Sequence, residues 1–465
     1  MAESIESRFQ RYCEVMHKAL AHADRRQPAQ WYLKGLMLPG GRKSVEPMAA
    51  RVHPQDVRSA HQSMHHLVAD AEWSDRALLA AVAGEVLPVL LKDDAACCWI
   101  VDDTGFPKKG EHSVGVARQY CGQLGKTDNC QVAVSLSLAT EAGSLPIGYQ
   151  LYLPKQWAGD RTRRRRAGVP EDIAFLPKGR IALAQIEAAL AAGMPPGTVL
   201  ADAAYGDEAQ FRDRLTQWGL RYAVGVKAAT ALWWGSHQPA PAPQASGHGR
   251  PRIRLLRDAA HQPIAVRELA HALAPRSFRR ITWRHGVAQP LASRFARVRV
   301  RAASEDQPRA EEWLLIEWPL GEPEPIHYWL STLPAKISLK ELVATAKARW
   351  LIERDYLELK QEVGLNHYEG RNWRGFHHHA SLCIAAYGFL MLERLSGAKK
   401  NSARLKTPAL PKGFRPRGSR ADAAPHPLVD CHHLLSAGAR HRPHPSAVSL
   451  LRPAQSHCEK NFLTQ

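Results

Sequence analysis

Three acidic positions, far apart in the chain, have the residue types and surroundings of a metal-dependent phosphodiester site. Asp103 closes an apolar run at 98–103, Asp202 closes a strand-like run that begins at 198, and Glu353 lies in a long helical segment. Three such carboxylates can hold two divalent cations about 3.5–4 Å apart, which activates an attacking water or 3′-hydroxyl and stabilises the leaving oxygen. Oxygen ligands without thiolate or imidazole favour Mg²⁺, for which Mn²⁺ substitutes, over zinc.

The helix predicted over 338–363 carries several carboxylates, and its periodicity favours one of them. At about 100° per residue, Arg349, Glu353, Tyr356 and Lys360 share a stripe roughly 60° wide. The remaining acids of the helix face away: Asp355, Glu358 and Glu362. An Arg and a Lys on either side of Glu353 would lie along a DNA backbone and bind the phosphates that flank the scissile one. The competing interpretation is a solvated helix face with ordinary ion pairs.

The first ligand is predicted to be Asp103, with Asp102 as its rival. Alternation along a strand points only one residue of an adjacent pair towards a given face. An aspartate at the end of a strand is commonly a turn or cap residue, so neither would be persuasive alone. The order of the three acids, one on the first strand, one on the fourth and one on the last helix, is much harder to obtain by chance.

The elements that must position these residues follow a recognisable order. Strand-like runs at 98–103, 131–140 and 148–154 indicate an antiparallel meander, and helix, strand, helix, strand follow through 226. This is the ribonuclease-H-like order of an α/β fold. We predict five regions: a helical DNA-binding region at 1–92, the first part of a ribonuclease-H-like core at 93–226, a β-rich insertion at 227–335, the final core helices at 336–396, and a basic disordered tail at 397–465.

Composition indicates a polyanionic partner for this chain of 465 residues. Lys and Arg number 63 against 44 Asp and Glu, which gives a formal net charge of +19 and a pI near 9.8. Nucleic acid is the first candidate, and a membrane is disfavoured because no apolar run approaches the roughly 20 residues of a span. Eight cysteines without a C-x-x-C pair are predicted to be reduced thiols, and Cys431-His432-His433 is a weak candidate for zinc.

The sequence resembles the DDE transposases of bacterial insertion sequences, in the branch that has a β-strand insertion and a Tyr-Arg-Glu-Lys signature. The similarity covers about 95–395. It is carried by DDTGFPKKG at 102–110, LADAAYGD at 200–207, RWLIERDYLELK at 349–360 and GLNHYEGRNWRGFHHH at 364–379. The resemblance implies that Asp103, Asp202 and Glu353 bind two Mg²⁺ ions and that Arg349 and Lys360 bind phosphate.

One position departs from the family pattern. The residue three before the signature Arg, usually Tyr, is Ala346 here, and Tyr356 is the predicted substitute for its DNA contact. The resemblance also implies cleavage at terminal inverted repeats, strand transfer into target DNA, a homodimer on DNA, and a cytoplasmic, nucleoid-associated protein. Two alternatives are a DNA-binding regulator without catalysis and another ribonuclease-H-like nuclease.

Further basic and aromatic residues are predicted to touch DNA. Lys108 and Lys109 follow the Asp103 strand closely enough to reach substrate phosphate. Trp157 is expected to stack on an unpaired base, in a loop whose arginines would hold the backbone: Arg163, Arg164, Arg165 and Arg166. Most tryptophans of the insertion are expected in the sheet core. His377, His378 and His379 are expected as polar cover near DNA.

Overall fold

The computed structural model describes residues 3–92, 96–241, 254–285 and 290–404. The sequence begins with five helices: α1 (Ile5–Ala19), α2 (Arg26–Met37), α3 (Val45–Val52), α4 (Val57–Ala69) and α5 (Asp75–Leu90). Ser4, Asp56 and Ser74 start three of them by accepting a backbone N–H bond through the side chain, as N-cap residues do. Most of residues 5–90 are therefore helical. Among the described residues, no helix is long and apolar enough to cross a bilayer.

A mixed sheet follows, with the strands β1 (Cys98–Pro107), β2 (Ala117–Cys121), β3 (Lys126–Thr140), β4 (Gly143–Leu151), β5 (Thr198–Ala201) and β6 (Tyr222–Val226). Strand β3 lies between β1 and β4 and pairs antiparallel with both, so the predicted meander is present. Strand β1 pairs on its other edge with β5, and β5 pairs with β6, both in parallel. The sequence did not predict β2, which extends the long strand β3 as a hairpin.

The helices between these strands cover the sheet and lead back to it. They are α6 (Lys155–Ala158), α7 (Arg161–Arg166), α8 (Lys178–Ala191), α9 (Ala203–Gly206) and α10 (Ala209–Gln217). Helix α8 packs on β3 and β4, and the one-turn helix α9 packs on β6. From β4 the chain returns through α6, α7 and α8 to β5, which lies parallel to β1.

The β-rich insertion continues the same sheet. Its elements are β7 (Ala231–Trp233), β8 (Ile264–Ala265), α11 (Val266–Ala272), β9 (Arg279–His285), β10 (Pro290–Ala302), β11 (Glu312–Glu317) and β12 (His327–Ser331). Strand β12 pairs with β6, and the order continues through β11, β10, β7 and β8, with β9 on β10. The insertion and the first sheet therefore share one hydrophobic core.

The last helices are α12 (Leu339–Lys347), α13 (Trp350–Leu357), a π-helical segment Glu358–Glu362, and α14 (Trp373–Arg404). Helix α14 packs on α5, α2, α4 and β4, so the N-terminal helices are joined to the sheet rather than forming a separate module. It also extends beyond 396 to Arg404, inside the segment predicted as a tail. Residues 405–465, including the Cys431-His432-His433 candidate, lie outside the described residues.

Candidate active site beside β1 and β5

The register of two parallel strands brings two of the predicted acids to the same level. Strand β1 pairs with β5 from Cys98 opposite Thr198 to Ile100 opposite Leu200. The same register, continued past the paired residues, places Asp102 level with Asp202. Laterally adjacent residues of parallel strands point to the same face, and the next residue along points to the other. Asp102 is therefore the member of the Asp102-Asp103 pair that shares a face with Asp202.

The surroundings of Asp102 agree with this placement. Its carboxylate is largely buried and lies 2.9 Å from the guanidinium of Arg349, just before α13. Burial raises the pKa of Asp102 to about 6; Arg349 opposes this rise, and the negative charge of Asp202 adds to it. The side chain is thus a buried carboxyl beside a second carboxyl, with one cation to compensate both.

Asp103 points to the opposite face of the sheet. Its Oδ2 accepts a hydrogen bond from Lys178 Nζ at 2.9 Å and lies 3.3 Å from the hydroxyl of Tyr205. Lys178 opens α8 and Tyr205 lies in α9. The sequence prediction that Asp103 contributes the first ligand does not fit this geometry, because strand alternation turns its carboxylate away from Arg349 and towards α8.

Asp202 ends β5 and starts α9. It is the N-cap of that helix, and its Oδ1 accepts the backbone N–H of Ala204 at 2.9 Å. The backbone of α9 lies directly against β6, because a Cβ on Gly225 would come within 2.8 Å of Ala203 N. Glycine at 225 is what allows this close approach. Asp202 also lines the adjoining cavity.

Glu353 lies in the first turn of α13 and is exposed. It lines a cavity of about 670 Å³ with Asp202, Arg349 and Trp350. The other lining residues include several from β6 and from the insertion, β12 among them. Burial lowers the pKa of Arg349, but Asp102, Asp202 and Glu353 together raise it above its ordinary value. One guanidinium therefore lies among all three carboxylates.

This oxygen-only set of side chains fits a hard divalent cation, since two of the carboxyls lie side by side with incomplete charge compensation. The geometry is not that of an assembled metal centre. Within the described ranges, no group of three or more His, Cys, Asp or Glu side chains is arranged to hold a metal ion. Arg349 instead lies 2.9 Å from Asp102, near the other two acids.

The predicted DNA contacts of Tyr356 and Lys360 are corrected by the structure. Tyr356 is buried, and its hydroxyl bonds to the Ser135 hydroxyl beneath the sheet surface. Lys360 is also buried and donates to Gly105 O at 2.9 Å; burial lowers its pKa to about 8. The predicted stripe required one continuous α-helix. The helix is interrupted at 348–349 and becomes π-helical at Glu358–Glu362, which changes the angle per residue.

The two lysines after β1 have different surroundings. Lys108 is half-buried, and its Nζ donates to Tyr368 O at 2.9 Å. Burial lowers its pKa, and Glu369 opposes that effect. Lys109 is exposed. Of this pair, only Lys109 is placed to contact a partner without first breaking a contact.

The arginine segment forms a helix and not a loop, because Asp160 caps α7 by accepting the N–H of Arg163 at 2.9 Å. Trp157 is 2% exposed and donates to Val116 O, so base stacking by Trp157 is excluded in this structure. Arg163 lies over its ring at 3.9 Å. Arg164 donates to backbone carbonyls, whereas Arg165 and Arg166 are exposed.

Other residues were misassigned or missed. The structure buries the three consecutive histidines of α14, which were expected to be exposed near DNA: His377, His378 and His379. His377 bonds to a backbone carbonyl, His379 bonds to Tyr32, and the ring of Trp73 stacks on His378. The roles of Lys178 and Tyr205 were not anticipated. Their only signal was strand alternation at Asp102-Asp103, which required a partner for whichever carboxylate turned away.

Comparisons with known proteins agree on a family. The profile described as DDE superfamily endonuclease matches residues 15–290, more than half of the chain, and ends before α13. The chain is 32% identical over 170 residues to the "Probable transposase for insertion sequence element IS701" of Microchaete diplosiphon; the match covers 36% of this chain and 41% of that relative.

A solved structure, the piggyBac transposase synaptic complex with hairpin DNA, aligns over 88% of this chain and 80% of its own, at 11% identity and a TM-score of 0.39. The extent of the family match, over more than half of the chain, identifies this chain as a member of the DDE superfamily of endonucleases.

Proposed function

We propose that this protein is a transposase that cuts DNA at the terminal inverted repeats of an insertion sequence and joins the freed 3′ ends to target DNA. The observation that carries the proposal is the register of β1 and β5, which, when continued, brings Asp102 and Asp202 to the same level on the same face of the sheet. Arg349 and Glu353 lie beside them. The similarity to the probable transposase for IS701 supports the same class of reaction.

We also propose that the core is ribonuclease-H-like. The order β4, β3, β1, β5, β6, with three antiparallel strands followed by two parallel ones, supports this assignment. So does the position of the candidate site, which lies at the carboxyl end of the central parallel strand β5 and beside the middle of β1.

The proposed metal ligands are Asp102, Asp202 and Glu353, with Asp102 replacing the Asp103 of the sequence prediction. Two bound Mg²⁺ ions, or Mn²⁺ in their place, would supply activation of the attacking oxygen and stabilisation of the leaving one. The protein's own contribution is to hold one carboxylate within β1 and a second directly after the neighbouring strand β5, and to carry the third on α13. Arg349, which lies near these carboxylates, would bind the negatively charged backbone.

Exposed cations would hold the rest of the DNA. Lys109 follows β1, and Arg165 and Arg166 lie on α7. Their contacts to phosphate would add affinity without sequence preference. Synapsis of two ends requires two active sites, so we propose a homodimer assembled on DNA.

A regulator that binds DNA without cutting it would not need the three carboxylates, and their retention around Arg349 favours an active enzyme. The test is cleavage of a labelled duplex that carries the inverted repeats flanking the gene, in Mg²⁺ or in EDTA, with wild type and Glu353→Gln. We expect nicking at the repeat boundary in Mg²⁺ alone, and none with the variant. Equal binding of the repeats by both proteins, with cleavage by neither in Mg²⁺ or Mn²⁺, would favour the regulator.

A further inference from the structure

The hydrogen bonds around Asp103 connect β1 to the segment that carries Asp202. Asp103 Oδ2 accepts from Lys178 at the start of α8 and from Tyr205 in α9. Asp202 is the N-cap of that same α9. The side chain that faces away from the cavity is thus bonded to the helical turn that begins at the second proposed ligand.

Backbone pairing alone does not fix this segment to β1. The paired residues of β1 and β5 end at Ile100 and Leu200, before either aspartate of the site. Strand β1 continues along β3 to Pro107, while β5 ends at Ala201 and the chain turns into α9. Beyond Leu200, the contact between the Tyr205 hydroxyl and Asp103 links the two chain segments that carry Asp102 and Asp202.

The other side of α9 is held by close backbone packing on β6. A Cβ on Gly206 would lie 2.2 Å from Gly225 O, and one on Gly225 would lie 2.8 Å from Ala203 N. Arg212 donates to Gly206 O as well. Helix α9 is therefore fixed against β6 on one side and against β1, through Tyr205, on the other.

The chemistry of the network suits a structural bond. Tyr205 is 1% exposed, and a phenol buried to this extent loses free energy unless its O–H keeps a partner. Burial and the nearby carboxylates raise the pKa of Tyr205 well above its ordinary value, so the hydroxyl remains a donor. Lys178 compensates the charge of Asp103 at 2.9 Å, so Asp103 does not need a metal ion for that purpose.

We infer that Asp103, Tyr205 and Lys178 form a positioning network that sets the separation of Asp102 and Asp202 and thereby the affinity of the site for divalent cations. The inference deepens the proposed function and rests on it for the identity of the ligands. Groups that orient metal ligands typically change metal affinity or activity about 10–100-fold when removed. None of the three residues of the network is expected to touch the metal or the DNA.

The test compares Tyr205→Phe, Asp103→Ala and the double variant with the control Tyr222→Phe. Tyr222 is also buried and donates its hydroxyl to a carboxylate, Glu312, at 2.8 Å, so the control removes a similar bond away from Asp103. Two quantities are measured: Mn²⁺ affinity by calorimetry, and hydrogen exchange of the amides at 203–206 without metal. Nicking at varied Mg²⁺ concentration gives a third.

We expect Tyr205→Phe and Asp103→Ala each to weaken Mn²⁺ binding about 10-fold and to speed exchange at 203–206. The double variant should be no worse than Asp103→Ala alone, because Tyr205→Phe removes a bond that Asp103→Ala has already removed. Asp103→Asn, which keeps an acceptor oxygen, should recover part of the loss, and Tyr222→Phe should change neither quantity. In the nicking assay, saturating Mg²⁺ should restore most of the rate of Tyr205→Phe.

Unchanged exchange or unchanged Mn²⁺ affinity in Tyr205→Phe would overturn the inference. So would abolition of Mn²⁺ binding by Asp103→Asn with no effect of Tyr205→Phe, since that pattern identifies Asp103 as a direct ligand. Failure of the proposed function has a different result: the wild-type protein then cuts no DNA, while exchange at 203–206 still decides whether the network holds α9.

Discussion

The two faces of the sheet at the middle of β1 differ in how the charges of their carboxylates are compensated. On the α13 face, Asp102 and Asp202 share one guanidinium with Glu353, and burial raises the pKa of Asp102 to about 6. On the α8 face, Asp103 has a lysine and a phenol of its own. Two adjacent residues of one strand, Asp102 and Asp103, therefore differ in how far their charge is compensated. An undercompensated carboxylate beside a cavity is suited to a cationic ligand, whereas a fully compensated one stabilises the fold.

The largest expected effect comes from neutralising one carboxylate on each face in turn. Asp102→Asn should lower the rate of metal-dependent nicking by at least about 1,000-fold, because it removes a ligand that stabilises transition-state charge by several kcal/mol. Asp103→Asn should lower it by about 10–100-fold at most. Single-turnover nicking of a labelled repeat end measures both, with DNA binding as the control. Equal losses would remove the distinction between the faces.

A second effect concerns the buried, hydrogen-bonded His379 of α14, which should affect the free energy of unfolding and not DNA cleavage. Tyr32 donates to His379 Nδ1, and His379 Nε2 donates to Gly364 O, a pattern that fits the neutral ring. Burial lowers the pKa of His379 to about 4, an effect that His367 and Lys108 reinforce and the backbone bond to Gly364 opposes.

Because the unfolded chain binds the proton near pH 6.5 and the folded one only near 4, stability should fall as pH drops through that window. The loss from His379 is on the order of 3 kcal/mol. Urea unfolding between pH 7 and 4 measures it, and His379→Gln should show a shallower decline. An identical pH dependence in both proteins would contradict a neutral, buried His379.

Removal of the shared cation sharpens the comparison further. Arg349→Ala leaves Asp102 and Asp202 close together without compensation, so the metal-free protein should lose about 1–3 kcal/mol of unfolding free energy. Saturating Mg²⁺ should reduce this loss, because the cation compensates the same carboxylates. Thermal unfolding with and without Mg²⁺ gives the difference. A loss that Mg²⁺ does not reduce would indicate that Arg349 and the metal act at separate places.

The smallest effect is expected on α7, where the same contrast occurs among arginines. The guanidinium of Arg164 binds the carbonyls of Ala158 and Pro170, while Arg165 and Arg166 form no side-chain hydrogen bond or ion pair with the described part of the chain. Arg165→Ala and Arg166→Ala should each reduce the salt dependence of DNA binding by about one unit of slope. Arg164→Ala should lower stability instead. Fluorescence anisotropy at several salt concentrations separates the two classes.

The sequence predicted the elements of the core better than the contacts within the site. Alternation at 131–140 was sufficient to place β3, although the structure buries both faces of that stretch. The choice between Asp102 and Asp103 depended on the register of β1 against β5, which no local pattern contains. Lys360 was misplaced because the π-helical segment depends on packing of its residues against β1 and α14. The composition of the segment around Trp157 predicted a loop, but Asp160 starts helix α7 shortly after it.

The central claim, that Asp102 and not Asp103 binds the metal with Asp202 and Glu353, is tested most directly by changing ligand chemistry. Asp102→Cys and Asp103→Cys would be assayed for nicking of the repeat ends in Mg²⁺ and in Mn²⁺, since a thiolate ligand disfavours the harder ion. We predict that Asp102→Cys is inactive in Mg²⁺ and regains nicking in Mn²⁺, whereas Asp103→Cys shows no such change of metal preference. Restoration by Mn²⁺ of Asp103→Cys alone would contradict the account.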